Sequence, residues 1–189
     1  MDASDVAQDN LEQAHRHGGD HSARRIAVLI AVLAAVLSMA EMGEKSSQNE
    51  YLTHHIQAAD HWAFFQARNI RSTVQGAAAT MMESLPNSAD PAVQKRIGDA
   101  RADVARLRDD PKGGLGSKQI AELARAEEHG REVAFHRYHR FEIVVGAVQI
   151  AIVLASVSVI TRVLALAFGA AAIGAVAALF GLATAVGLV

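Results

Sequence analysis

The tract Ile143–Val189 is apolar almost without a break, interrupted only around Thr161 and Arg162. As one helix it would run roughly 70 Å at 1.5 Å per residue, about twice the hydrocarbon core of a bilayer. It is therefore expected to fold back on itself as two membrane spans, with the turn at or near Arg162. This constraint sets the class of the whole chain. Hydrophobic residues make up 51% of the sequence and lie at its two ends, while the charges fill the middle. A single aqueous globule would instead distribute its apolar residues by period along the chain.

A second apolar run, Ile26–Ala40, follows Ser22 and the basic pair Arg24-Arg25. It admits two readings. As a signal peptide, Ile26–Leu37 is the apolar region and Ser38-Met39-Ala40 a small-x-small cleavage site. Against this, the preceding segment is long and carries Asp2, Asp5, Asp9, Glu12 and Asp20. The run is read as a first membrane helix, lengthened by Met42 and Gly43 where Glu41 reaches the interface. The fold expected is all-α: an integral membrane protein with three transmembrane helices and an extramembrane helical hairpin or stalk between spans one and two. Its segments are a polar tail (1–22), span one (23–43), the extramembrane helical domain (44–141), span two (142–161) and span three (162–189).

The tail groups His15, His17 and His21 around Gly18-Gly19 with too few apolar side chains to pack, so it reads as a solvated segment. From Glu44 to about Met82 the pattern is helical. Leu52, Ile56, Ala59, Ala63, Ile70 and Val74 draw one apolar face flanked by Trp62 and Phe65, and His54, Gln57, His61, Arg68, Arg71 and Gln75 mark the other side. Pro86 and Pro91 end that helix and start another, with Asp90 as N-cap. The next helix runs from Ala92 to about Arg108 with a narrow stripe of Val93, Ile97, Ala100, Val104 and Leu107. The loop 109–116 is glycine-rich but lacks the spacing, the closing Lys-Ser/Thr and the preceding strand of a phosphate loop. Ser117 is expected to cap a last helix that continues into the membrane, with Ile120, Leu123, Ala134, Tyr138 and Phe141 facing inward.

Two stretches carry a resemblance. Ser46-Ser47-Gln48-Asn49-Glu50 with Ala59–Arg71 holds the core Asp60-His61-Trp62-Ala63-Phe64-Phe65-Gln66-Ala67-Arg68, and Val148–Ser156 is followed by Thr161-Arg162. Together they resemble a bacterial family called domain of unknown function 4337, over nearly the whole chain. The resemblance implies a small bacterial membrane protein with three spans and supplies no activity. Phe64-Phe65 stand where the family favours two tyrosines, so an aromatic packing role carries over and a hydroxyl role does not.

Candidate functional residues fall in three groups. Trp62, Phe64 and Phe65 cover several sides of one helix and are read as a contact between stalk helices, with a ligand cleft using Asp60, Gln66 and Arg68 as the alternative. If the helices flanking the middle domain are antiparallel, His54 lies level with His129 and His61 with Glu122. Glu122, His129, Glu132, His136 and His139 share one stripe, expected to be solvated, and His54, His129, Glu132 and His136 are weak metal candidates; metal binding is also the alternative reading of His15, His17 and His21 in the tail. Within the membrane, Gly146, Gln149 and Ser156 share a face. Gln149 is expected to be a buried amide bonding across helices, with pore lining as the alternative. Ala170, Gly174 and Ala178 are expected to let span three approach its neighbours closely.

No nucleophile–base set appears, no cofactor is implied, and the near-neutral net charge of -2 argues for no nucleic-acid partner. The absence of cysteine removes disulfides and thiolate metal sites. The function expected is a non-enzymatic, homo-oligomeric membrane scaffold or assembly subunit, with a membrane-protein partner open. The alternatives are a channel or transport component with a polar axis along span two, and a His/Glu metal-binding membrane protein. Arg24, Arg25 and Arg162 fall on one side of three spans, which the positive-inside rule makes cytoplasmic; the helical domain is then periplasmic, in a bacterial inner membrane.

Overall fold

A computed structural model describes residues 21–188. Within them the chain forms four helices and no strand: α1 (His21–Glu83), α2 (Pro91–Arg108), α3 (Ser117–Thr161) and α4 (Leu164–Ala185). Helices α1, α3 and α4 are long and apolar enough to cross a membrane. The readings placed on His15 and His17 lie outside the described residues. The chain divides into two compact units, one of residues up to Asn49 with Ala134–Val189, the other Glu50–Val133.

The first unit is a three-helix bundle whose core is built from alternate three- and four-residue steps. Ile26, Ile30, Leu33, Leu37 and Ala40 come from α1; Val144, Val148, Ala151 and Ala155 from α3; Ala167, Ala170 and Ala177 from α4. This spacing keeps one narrow seam of each helix facing its neighbours, as in a coiled coil. Large side chains of α1 meet small ones of α3 and α4. A Cβ at Gly174 would overlap Leu33, and one at Gly181 would lie 3.2 Å from Val144 Cγ1. One at Gly43 would sit 2.7 Å from the Phe141 ring. In hydrocarbon, where burial of apolar area drives little association, such close approach is what holds helices together.

The break between α3 and α4 falls where the apolar tract is interrupted. Arg162 takes a left-handed backbone with φ 57°, reversing the chain in two residues. The Ser158 hydroxyl donates to the Val163 carbonyl at 2.9 Å, which also accepts from the Leu166 N–H at 3.1 Å, tying the end of α3 to the start of α4. Ser38, Ser156 and Thr184 donate to the carbonyls four residues back, so these hydroxyls are satisfied within their own helices.

The second unit packs α2 against the distal part of α1 and the first turns of α3. Its core is small: Ala58, Ser72 and Ala79 of α1, Ile97 and Ala100 of α2, Ser117, Ile120, Ala121 and Ala124 of α3. Asp90 caps α2, accepting from the Ala92 N–H at 2.7 Å with Pro91 at the first helical position. The expected cap at Ser117 is corrected. Its hydroxyl donates to the Leu107 carbonyl at 3.0 Å, satisfying the end of α2 instead, and the Gly116 carbonyl accepts the first bond of α3. Gly116 is required there, because a Cβ would crowd the Asp109 Cα at 2.9 Å. Asp110 accepts from the Gly113 N–H at 2.9 Å, and Gly114 supplies a φ of 68°. The loop's glycines thus serve a tight reversal.

Candidate functional site

The largest departure from the sequence reading lies on α1. The apolar face Leu52, Ile56, Ala59, Ala63, Ile70 and Val74 is exposed, with Ile56 60%, Ile70 65% and Val74 61% accessible. The residues packed inward are Tyr51, His54, Ala58, His61, Phe65, Arg68, Ser72, Gln75 and Ala79. These positions continue, in steps of seven, the register of Ile26, Leu33 and Ala40 and of Ile30 and Leu37. In the second unit, then, polar side chains face inward and an apolar stripe faces outward. On α3 the inward set is Ile120, Ala134 and Phe141 with half-buried Tyr138 as expected, whereas Leu123 is exposed.

The inward polar residues are satisfied between α1 and α3. His54 Nδ1 lies 2.6 Å from Glu127 Oε2. The imidazole fits because residue 130 is glycine; a Cβ there would sit 2.8 Å from the ring. Trp62 Nε1 donates to Glu128 Oε1 at 3.0 Å, and Phe65 packs edge-on against Trp62 with ring centroids 5.4 Å apart. Phe64 is exposed, with the Arg68 guanidinium 5.4 Å from its ring centre. Trp62 and Phe65 thus find partners in the local hairpin, and Phe64 presents its ring outward.

The level pairing of α1 with α3 holds, but His54 meets Glu127 rather than His129. His129, Glu132 and His136 are exposed, as are Glu122 and His139. Among the described residues no three of His, Asp and Glu gather as a metal set, so the four metal candidates are not brought together. The ligand cleft expected at Asp60, Gln66 and Arg68 is also displaced, since Asp60 and Gln66 are exposed. Arg68 instead lines a polar cleft of about 210 Å³ with Arg71, Gln75, Asp103, Arg106, Leu107 and Asp110. Arg106 is paired with Asp103 at 2.9 Å. The cleft presents guanidinium donors suited to a carboxylate or phosphate oxygen, beside the carboxylates of Asp103 and Asp110.

In the first unit Gln149 is exposed, not buried as expected. It lines a groove of about 420 Å³ with Gly146, Ile150, Val153 and Leu154. A Cβ at Gly146 would meet nothing within 4 Å. Ser156 lies on the same side, but its hydroxyl is taken by the Ile152 carbonyl at 2.9 Å. Gly174 is buried, with Leu33 where its Cβ would stand. The sequence reading missed Glu127, Glu128 and Gly130, whose partners become visible only once the inward phase of α1 is known.

Comparison with curated proteins and with solved structures yields no significant match. A family profile described as Domain of unknown function (DUF4337) matches residues 22–187. That span takes in all but the first residue of α1 and the whole of α2–α4, with every contact and cleft described above. The chain belongs to that family, the Domain of unknown function (DUF4337) proteins.

Proposed function

We propose that this protein is a non-enzymatic, multi-pass membrane scaffold that works as a homo-oligomer in a bacterial inner membrane. The observation that carries the reading is the outward apolar stripe of α1 in the charged unit. A stripe of Leu52, Ile56, Ala59, Ala63, Ile70, Val74 and Met81, about 44 Å long at 1.5 Å per residue, is costly to leave in water. Its three- and four-residue steps suit a parallel helix pair, and alanines at its centre permit close approach. Standard interfaces remove about 800 Å² from each partner, and Ile56, Ile70, Val74 and Met81 of this stripe are each 60% or more exposed. Copies inserted in one membrane share orientation, which raises their effective concentration for parallel contact.

The paired arginines before α1 and Arg162 between α3 and α4 favour a cytoplasmic N-terminus and a periplasmic helical domain. The inward polar contacts of α1 and α3 supply cohesion without a reaction centre. Native mass spectrometry of the full chain in nanodiscs tests the proposal. The wild type is expected as an oligomer, and the double variant Ile56→Ser/Ile70→Ser as a smaller species with unchanged helicity. A monomeric wild type would overturn it.

A further inference from the structure

We infer that Gln149 is one half of a symmetric amide pair, completed in the membrane by the partner's Gln149. The inference deepens the oligomeric reading by naming a membrane contact. Gln149 stands seven residues after Glu142 and thirteen before Arg162, which places it about 10 Å and about 20 Å along the helix from those charges. That is inside the hydrocarbon, where an amide without a partner is strongly unfavourable. Gln149 points outward, and no hydrogen bond to it occurs among the described residues. The hydroxyls of Ser38, Ser156, Ser158 and Thr184 are each committed to a backbone carbonyl.

A second copy supplies the missing group at the right depth. Two copies in one membrane with one orientation place their Gln149 side chains level with each other. The amide carries both donor and acceptor, so it is complementary to itself, and a two-fold axis lets each N–H meet the other carbonyl. The groove around it provides the approach. Gly146 is open to contact, and Val153 lies one turn on along the same side, 60% exposed. Gly146, Gln149 and Val153 thus form a second seam on α3, on the side away from its core seam of Val144, Val148 and Ala151.

The cysteine-free sequence makes the test direct. Full-length chains carrying Val153→Cys or, as control, Val32→Cys on an exposed face of α1 are oxidised with copper phenanthroline in native membranes. Val153→Cys is expected to give a disulfide-linked dimer and Val32→Cys to stay monomeric on gels. Adding Gln149→Leu to Val153→Cys should lower dimerisation about fivefold, and Gln149→Asn should retain most of it. Equal crosslinking with Gln149→Leu, or preferential crosslinking at Val32→Cys, would overturn the amide pair. Loss of Val153→Cys crosslinking while the Ile56/Ile70-dependent oligomer persists would overturn this contact and leave the scaffold reading standing. A monomer in every membrane preparation would overturn both.

Discussion

At the scale of single residues, the fold depends on three glycines at points of close approach. Gly43 faces the Phe141 ring, Gly174 faces Leu33, and Gly130 faces the His54 imidazole. The obstacles differ in stiffness. The end of a leucine turns aside, whereas a buried phenyl ring must move as a plate. Gly43→Ala is therefore expected to destabilise the first unit by about 1–3 kcal/mol, and Phe141→Leu in that background to recover part of it. Thermal unfolding by circular dichroism of the single and double variants checks this. Trp62 offers a second test, because its indole N–H is held by Glu128. Glu128→Leu leaves that donor without its acceptor at a cost of about 1–2 kcal/mol, while Glu128→Gln keeps an oxygen in place. As the chain's only tryptophan, Trp62 reports the change by its fluorescence.

At the scale of the element, helix ends and turns follow local chemistry closely. The Asp90–Pro91 start of α2 behaves as its residue types require, and Asp90→Ala should cost about 1 kcal/mol by loss of the cap. The α3–α4 turn is less ideal, because it places an arginine at φ 57°, a region where L side chains cost about 1–2 kcal/mol. Arg162→Gly is expected to keep the hairpin and stabilise it slightly, whereas Arg162→Val should destabilise it, read as the midpoint of denaturant unfolding. That the position holds arginine despite the strain fits its charge at a membrane boundary, where it biases orientation.

At the scale of the whole molecule, Ile26, Ile30, Leu33 and Leu37 of α1 face the core of the first unit, and in the second unit Ala58, Ser72 and Ala79 of α1 are buried while Ile56, Ile70 and Val74 are exposed. The proposed orientation is tested by placing the chain's only cysteine at Ser88→Cys, in the turn between α1 and α2. A membrane-impermeant thiol reagent applied to spheroplasts with an intact inner membrane is expected to label it. Labelling only after that membrane is broken would put the helical domain in the cytoplasm.

The sequence by itself determined the class of the fold. Apolar length dictated three membrane helices, the interruption at Arg162 located the hairpin, and Asp90-Pro91 located the start of α2, because these depend on solvent and on local backbone chemistry. The tertiary structure alone decided which faces are inward. The period of α1 was legible as one apolar face with Leu52, Ile56, Ile70 and Val74, and the structure leaves that face outside. Which face of a helix turns inward depends on the groups its neighbours offer, as Glu127 and Glu128 of α3 do for His54 and Trp62. Those partners are side chains remote in sequence. Gln149, expected as a buried amide, is outward, because it lies on the side of α3 away from Val144, Val148 and Ala151.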